Sequence, residues 1–135
     1  MRVMYVASEA TPFIKSGGLA DVIGSLPKET AKKDVESIVV IPKYKDMKFV
    51  DQIEYVTNFD IYMGWRKRYC GIFKAEVDGV TFYFIDNEQY FGRPGLYGYD
   101  DDAERFAFFA RANLLTFSWF MSVLTCPRSA RGARL

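Results

Sequence analysis

A short segment near the amino terminus carries a lysine, two adjacent glycines and an aspartate within seven positions. Its sequence is KSGGLAD, in which Lys15 is followed by Gly17 and Gly18 and then by Asp21. Glycines before a helix let a ligand approach backbone N–H groups, and a helix amino terminus favours a negative charge. The lysine adds a compact positive charge. The pattern therefore indicates a site for a phosphate or pyrophosphate group.

The spacing alone leaves a structural interpretation open. The segment matches neither the Gly-x-Gly-x-x-Gly fingerprint of dinucleotide-binding folds nor the Gly-x-x-x-x-Gly-Lys-Ser/Thr loop of nucleotide triphosphatases. Glycines are common at strand-to-helix turns for backbone reasons, and a single lysine on a loop is usually a solvated charge. From the pattern by itself, phosphate binding and a purely structural turn are equally good interpretations.

The elements around this segment predict an open α/β sheet. Two continuous apolar runs, at residues 3–6 and 38–41, predict strands buried on both faces. A helix is expected from the double glycine onward, kinked or interrupted at Pro27, with one apolar face formed by Leu19, Val22, Ile23 and Leu26. This order is a βαβ unit with parallel strands. Ligands bind such sheets at the carboxyl ends of the strands, where the lysine and glycines lie.

The centre of the chain predicts a β-hairpin or small meander inserted after this unit. Residues 53–63, 68–77 and 80–85 are rich in aromatic and β-branched residues, and Asp78-Gly79 is a two-residue turn signal. Residues 86–99 form an aromatic, glycine-rich loop of the kind that often lines sites. A last helix is expected after it, with an apolar face formed by Phe106, Phe109, Ala110 and Leu114.

Composition excludes several classes of protein. The chain has 135 residues, enough for one domain, and its net charge of +1 gives no electrostatic case for binding nucleic acid or an anionic membrane. Because it contains no histidine, it has no Ser-His-Asp triad and no usual zinc site. The two cysteines form no Cys-x-x-Cys motif, and no signal peptide or spanning segment is predicted. We expect a cytoplasmic protein with reduced thiols, no cofactor and no metal.

Four separate segments together resemble the bacterial glycogen synthases and plant starch synthases. The resemblance lies in VASEATPFIKSGGLADV at residues 6–22, VIPKY at 40–44, YFGR and LYG at 90–98, and DAERF at 102–106. The matches occur in the order of that family and cover about residues 1–113.

Members of that family are retaining glucosyltransferases of the GT-B architecture, in which two Rossmann-like domains face each other across a cleft and no metal is required. They transfer glucose from ADP-glucose to the non-reducing end of an α-1,4-glucan such as glycogen. The resemblance therefore implies an α/β fold: a Rossmann-like parallel sheet, the partial N-terminal domain of a GT-B glycosyltransferase, with a β-hairpin insertion. It also implies ADP-glucose and an α-1,4-glucan as ligands.

The resemblance also implies roles for individual residues. Lys15 would contact the diphosphate region of the donor, and Gly17 and Gly18 would let it approach backbone donors. Asp21 would lie near the transferred sugar or orient the loop, which makes it the candidate catalytic residue.

Other positions keep two interpretations. Tyr97 and Arg93 would contact glucan or hold the glycine-rich loop in shape. Glu9 is expected to fix the first loop through hydrogen bonds rather than to act as an acid. The acidic residues 100–102 are expected to cap the last helix rather than to bind a metal, and the lysines Lys43, Lys45 and Lys48 to form a solvated face.

The sequence departs from the family after Asn113. The family continues there to a His-x-His-Asp-Trp motif, whereas residues 114–135 contain no histidine. We therefore expect residues 1–113 to be a partial synthase domain and residues 114–135 to be a divergent tail, with an apolar stretch at 114–124 that aggregates if uncovered. The isolated chain is expected to be inactive. The alternatives are a stand-alone glucan- or nucleotide-binding module without chemistry and a transferase for another sugar nucleotide.

Overall fold

The predicted βαβ unit is present. The computed structural model describes residues 1–125, with side chains described through residue 122. Strand β1 (Arg2–Val6), helix α1 (Gly18–Ala31) and strand β2 (Glu36–Pro42) follow each other along the chain. The two strands pair in parallel, with Tyr5 opposite Val39. The amide of Ala7 continues this pairing by donating to the carbonyl of Val40 at 3.1 Å.

The predicted insertion is confirmed, and its last strand also belongs to the parallel part of the sheet. A short 3-10 helix (Val50–Gln52) leads into β3 (Glu54–Met63), β4 (Arg66–Val77) and β5 (Val80–Asp86). The five strands form one sheet in the order β1-β2-β5-β4-β3. Strand β5 is antiparallel to β4 and parallel to β2, so the parallel core has three strands and the hairpin extends one edge.

The turn between β4 and β5 has the geometry that its sequence indicated. Asp78 has φ 50° and Gly79 has φ 80°, so both central residues lie in the left-handed region. Two-residue hairpins favour this arrangement because its twist matches that of the strands, and aspartate and glycine tolerate it best.

The predicted apolar face of α1 is wrong at three of its four positions. Among those positions only Ile23 is buried, and the other three side chains are about half exposed: Leu19, Val22 and Leu26. The buried residues of the helix are Ala20, Ile23, Gly24 and Pro27, and the helix runs through Pro27 without ending there.

Small residues let α1 approach the loop that precedes it. The amide of Thr11 donates to the carbonyl of Ala20 at 3.1 Å, and a Cβ placed on Gly24 would lie 1.8 Å from the Thr11 hydroxyl oxygen. This close approach selects alanine and glycine for the inner face, so the larger aliphatic side chains point outward.

Aromatic rings fill the core on the loop side of the sheet. Phe13, from the loop after β1, packs against Phe82 and Phe84 of β5 at centroid distances of 5.0 and 4.8 Å. All three side chains are nearly or fully buried. The first loop is therefore anchored on the third parallel strand.

Two helices complete the described fold. A single-turn helix α2 (Glu88–Phe91) follows β5, and α3 (Asp102–Thr125) is the longest element. No helix among residues 1–125 is long and apolar enough to cross a membrane.

The buried face of α3 differs from the predicted one. Phe109 is buried, but Ala110 and Leu114 are exposed. The inner face instead contains polar residues among apolar ones: Arg105, Phe108, Phe109, Ala112, Asn113, Thr116 and Phe120. Apolar periodicity alone misplaces such a face because some of its members are polar side chains that form hydrogen bonds inside the fold. For example, Thr116 donates to the carbonyl of Ala112 at 2.7 Å.

The helix continues without a break across the predicted domain boundary at Asn113. Within the stretch expected to be poorly covered, the exposed apolar side chains are those of Leu114, Leu115, Phe117 and Met121. The boundary stays a prediction, and the tail after residue 125 lies outside the described residues.

Two glycine substitutions in α1 test its contact with the first loop. Alanine is the better helix former by about 1 kcal/mol, so Gly24→Ala would stabilise the protein if space allowed. The new Cβ would lie 1.8 Å from the hydroxyl oxygen of Thr11 and 3.1 Å from its carbonyl oxygen. We therefore expect the free energy of unfolding, measured with urea, to fall by about 1–2 kcal/mol. Gly18→Ala, with nothing within 4 Å, is the control and should change stability by less than about 0.5 kcal/mol. A more stable Gly24→Ala protein would contradict this packing.

The buried thiol of Cys70 predicts a loss of stability at alkaline pH. Burial, together with the nearby Asp86 carboxylate, raises the pKa of Cys70 from 9.0 to about 12. Between these values the unfolded chain releases the thiol proton while the folded chain keeps it, so unfolding becomes easier as pH rises. We expect up to about 3 kcal/mol of stability to be lost by pH 11 through this group. Urea unfolding at a series of pH values from 8 to 11 gives the free energy of unfolding at each pH. This free energy should fall less steeply with pH in Cys70→Ala than in the wild type. An equally steep fall in both proteins would contradict the assignment.

Candidate functional site

The candidate site is the loop that joins β1 to α1, residues 7–17, at the carboxyl edge of the three parallel strands. This is the edge at which open α/β sheets bind ligands. The ring of Phe13 packs on β5, and the amide of Thr11 donates to a carbonyl of α1. These two contacts fix the position of the loop on the core.

The structure brings Lys15 and Asp21 together. The ammonium of Lys15 lies 2.6 Å from a carboxylate oxygen of Asp21, which is in the first turn of α1. Both side chains are about half exposed, at 53% and 56%. An exposed pair of this kind is worth at most about 1 kcal/mol. The carboxylate therefore holds the lysine at the loop while leaving it free to exchange this partner for an anion.

The two glycines leave the start of α1 uncovered. Gly17 precedes the helix in an extended conformation and supplies no side-chain cap, and Gly18 is the first helical residue. A Cβ built on either glycine would meet no atom within 4 Å. Neither residue needs glycine for its backbone angles. What their small size provides is open space beside the backbone N–H groups at the helix start.

A buried carboxylate fixes the shape of this loop. The Glu9 side chain is nearly inaccessible, and it accepts hydrogen bonds from the Ser16 amide at 2.9 Å and the Ser16 hydroxyl at 2.5 Å. Ser16 lies directly between Lys15 and Gly17. The structure thus shows the loop-fixing bonds that the sequence analysis expected of Glu9.

Ser8 joins the first loop to the aromatic, glycine-rich loop. Its hydroxyl oxygen lies 2.6 Å from that of Tyr97, and its carbonyl accepts a hydrogen bond from the Tyr44 hydroxyl at 2.7 Å. Burial raises the pKa of Tyr44, so this phenol stays protonated and remains a donor. The ring of Tyr97 packs 5.9 Å from Phe106 and is 44% exposed. One face of Tyr97 is thus available beside the candidate site.

The side chain of Arg93 is bound within its own loop. Its two terminal nitrogens donate to the two oxygens of Asp101 at 2.6 and 2.8 Å, and its Nε donates to the Gln89 carbonyl at 2.7 Å. The guanidinium also lies 4.9 Å from the centre of the Tyr99 ring. The bond to Arg93 holds the pKa of Asp101 below its ordinary value. This geometry supports the loop-holding interpretation; contact with glucan stays a prediction.

Asp102 also holds the loop. Helix α3 begins at this residue and has the predicted acidic first turn. The Asp102 carboxylate, however, accepts from the backbone amides of Gly98 and Tyr99 at 2.8 and 3.2 Å, upstream of the helix. These bonds lower the pKa of Asp102. Among the described residues no group of three or more His, Cys, Asp or Glu side chains is arranged to hold a metal ion.

Sequence reasoning missed Arg105, which organises the same loop. It is fully buried and donates to the carbonyls of Tyr90 and Leu96 at 2.6 and 3.0 Å and to Asp102 at 2.7 Å. Its guanidinium also lies against the rings of Phe91, Tyr99 and Phe106. The sequence offers one signal for it, an arginine three residues after Asp102 and beside the aromatic residues at 106–109, but this signal does not show which carbonyls the side chain meets.

The prediction that Lys43 is solvated is wrong. Its ammonium lies 3.7 Å from Asp86, and the two side chains are only 20% and 16% exposed. Because β2 and β5 are parallel neighbours, Lys43, which follows β2, and Asp86, the last residue of β5, meet at the same edge. Burial raises the pKa of Asp86, and Lys43 opposes that shift. Lys45 and Lys48 are exposed, as expected.

Comparisons with known proteins identify the family of the chain. A family model described as the starch synthase catalytic domain matches residues 2–126. The chain is 53% identical over 131 residues to a glycogen synthase of Clostridium botulinum strain Eklund 17B, covering 93% of this chain and 27% of that protein. It is 55% identical over 116 residues to a glycogen synthase of Desulforamulus reducens, covering 84% of this chain and 24% of that protein. The chain thus spans about a quarter of the length of these relatives.

The fold has a solved counterpart. The catalytic domain of starch synthase IV from Arabidopsis thaliana, bound to ADP and acarbose, superposes with a TM-score of 0.76 at 30% identity, covering 85% of this chain and 25% of that one. With a family model matched over nearly all described residues and relatives at about half identity, this chain belongs to the starch synthase catalytic domain family.

Proposed function

We propose that this chain is the first part of an ADP-glucose-dependent glycogen synthase, and that its first loop binds the diphosphate of the donor. The observation that carries the proposal is the exposed Lys15–Asp21 pair beside an uncovered helix start, at the carboxyl edge of the parallel strands. Support comes from relatives named glycogen synthase and from a similar structure that holds ADP and acarbose. The reaction would transfer glucose, with retention, to the non-reducing end of an α-1,4-glucan.

Lys15 would stabilise the departing nucleoside diphosphate. As the bond from the sugar to the diphosphate breaks, negative charge grows on the phosphate oxygens, and a positive group held in place lowers the energy of that state. Lys15 can turn from Asp21 to a phosphate oxygen at little cost, because the pair is exposed. The N–H groups of Gly17 and Gly18 would add neutral donors. Asp21 would lie near the transferred sugar and keep the lysine oriented until the donor arrives.

The acceptor would lie against the aromatic loop. Tyr97 offers a partly exposed ring next to the first loop, and its hydroxyl contact with Ser8 keeps the two loops together. Sugars pack their C–H faces on aromatic rings, and the rings themselves lose little freedom on binding. Arg93 would act as a positioning residue, through Asp101 and Tyr99. A sugar-nucleotide transferase of this kind would work in the cytoplasm.

Binding of ADP to the chain tests the diphosphate site. Lys15→Ala should weaken ADP binding about tenfold in isothermal titration, because a charge-assisted hydrogen bond to phosphate is lost. Asp21→Asn should strengthen it up to about fivefold, since the competing carboxylate charge is removed. Lys33→Ala removes an exposed lysine just beyond the other end of α1 and is the charge-matched control. Equal losses for Lys15→Ala and Lys33→Ala would show only a general charge effect and would refute the site.

The isolated 135-residue chain should show no glucose transfer. Transition-state stabilisation in a cleft needs groups from both walls, and this chain spans about a quarter of its relatives. Incubation of the purified chain with radiolabelled ADP-glucose and glycogen should give no incorporation above a protein-free blank. Incorporation that Lys15→Ala abolishes would overturn this expectation and would show that one wall suffices.

A further inference from the structure

The segment that follows β2, residues 44–48, is bonded to the first loop of the candidate site. The hydroxyl of Tyr44 donates to the carbonyl of Ser8 at 2.7 Å, and the amide of Lys48 donates to the carbonyl of Phe13 at 2.8 Å. The side chain of Tyr44 is buried, so the segment is itself anchored in the core. This segment therefore helps to hold the loop on which the donor is expected.

The same segment is also bonded to the aromatic, glycine-rich loop at residues 86–99. The amide of Lys45 donates to the carbonyl of Phe91, at the end of α2, at 3.1 Å. The carboxylate of Asp46 accepts a hydrogen bond from the amide of Gly95 at 2.7 Å. A short segment thus connects the two loops that border the candidate site, and Asp46 makes its connection through an exposed side chain.

The bond from Asp46 reaches the loop close to its exposed tyrosine. Gly95 has φ 73°, in the left-handed region, and lies two positions before Tyr97. Between them, the carbonyl of Leu96 accepts from the buried guanidinium of Arg105 at 3.0 Å. Because glycine has no side chain to restrict its backbone, bonds from other parts of the chain select its conformation. Asp46 and Arg105, from two different elements, therefore fix the backbone that carries the Tyr97 ring.

The location of Asp46 suits positioning of the loop better than stabilisation of the whole fold. Its side chain is exposed, and a single hydrogen bond at the surface adds little to the free energy of unfolding. The neighbouring side chains of Tyr44 and Met47 are buried and keep the segment on the core. The bond instead fixes Gly95, in a loop whose glycines would otherwise sample many backbone conformations. Its loss should therefore affect the loop and leave the core intact.

We propose that Asp46 is a positioning residue for the acceptor: acting through Gly95, it holds the ring of Tyr97 at a fixed place beside the first loop. The contact of Tyr97 with an acceptor sugar rests on the proposed function. Group transfer needs the donor and the acceptor at a defined separation, and a displacement of about 1 Å is enough to slow such a reaction strongly. A segment bonded to both loops would set this separation.

Two substitutions at Asp46 test this role in the full 135-residue chain. Asp46→Ala removes the acceptor of the Gly95 amide, so hydrogen exchange of that amide, measured by NMR, should accelerate at least about fivefold. Maltohexaose affinity in isothermal titration should fall about fivefold, whereas ADP affinity, which depends on the first loop, should stay within about twofold. Asp46→Asn keeps an acceptor oxygen and should restore the exchange rate and the maltohexaose affinity to within about twofold of the wild type.

Asp51→Ala is the charge-matched control. It removes an exposed carboxylate of the 3-10 helix, a few residues beyond the segment, and should leave both affinities and the exchange of Gly95 unchanged. Unchanged exchange in Asp46→Ala would overturn the proposal. So would an equal loss of maltohexaose affinity in Asp46→Asn or Asp51→Ala, or an equal loss of ADP affinity in Asp46→Ala. A melting temperature of Asp46→Ala far below that of the wild type would make Asp46 a residue of the fold and would also overturn it.

Failure of the proposed function would give a different result. A wild-type chain that binds no maltohexaose would refute the acceptor contact at Tyr97, and this role of Asp46 with it. Binding by the wild type with unchanged affinity in Asp46→Ala would leave that contact in place and refute only the role of Asp46. The ADP titration with Lys15→Ala reports on the donor site separately.

Discussion

The arrangement of the loops depends on the positive charge of Arg105, whose side chain is fully buried. The guanidinium of Arg105 is fully buried beneath the glycine-rich loop, where it donates to two backbone carbonyls and to Asp102. A buried cation without partners would cost several kcal/mol, so the loop must bring its carbonyls and its carboxylate to this point. Asp102 in turn binds the amides of Gly98 and Tyr99. A segment rich in glycine, which loses much entropy on ordering, thereby acquires one conformation.

This ordered loop then positions the candidate site. Tyr97 reaches Ser8 in the first loop, and Tyr44 binds the carbonyl of the same residue from the end of β2. Glu9 fixes Ser16 on the other side. Glu9 and Tyr44 are thus buried and bonded to the first loop, whereas Lys15 and Asp21 are exposed. A rigid frame with an exchangeable surface pair suits binding of an anion that must arrive and leave.

Several large apolar residues of the two long helices are exposed rather than part of the core. Leu19, Val22 and Leu26 of α1 and Leu114 and Phe117 of α3 are exposed, although their spacing is typical of buried faces. The inner face of α1 includes small residues because the helix approaches the first loop closely. The inner face of α3 combines phenylalanines with polar residues such as Arg105, which reaches the site loop. Periodicity identified both helices correctly but could not say which side of either one meets the sheet.

The sequence by itself determined the local elements and the family. Continuous apolar runs and the Asp78-Gly79 turn placed the strands, and the spacing of Lys15, Gly17, Gly18 and Asp21 located the candidate site, because these signals depend only on neighbouring residues. Tertiary structure decided what depends on contacts between distant residues. It made β5 the third parallel strand, paired Lys43 with Asp86, and buried Arg105 under carbonyls up to fifteen positions away. These contacts depend on which strands and helices become neighbours in the folded chain. A local sequence pattern does not contain that information, because the contacting residues are far apart in the sequence.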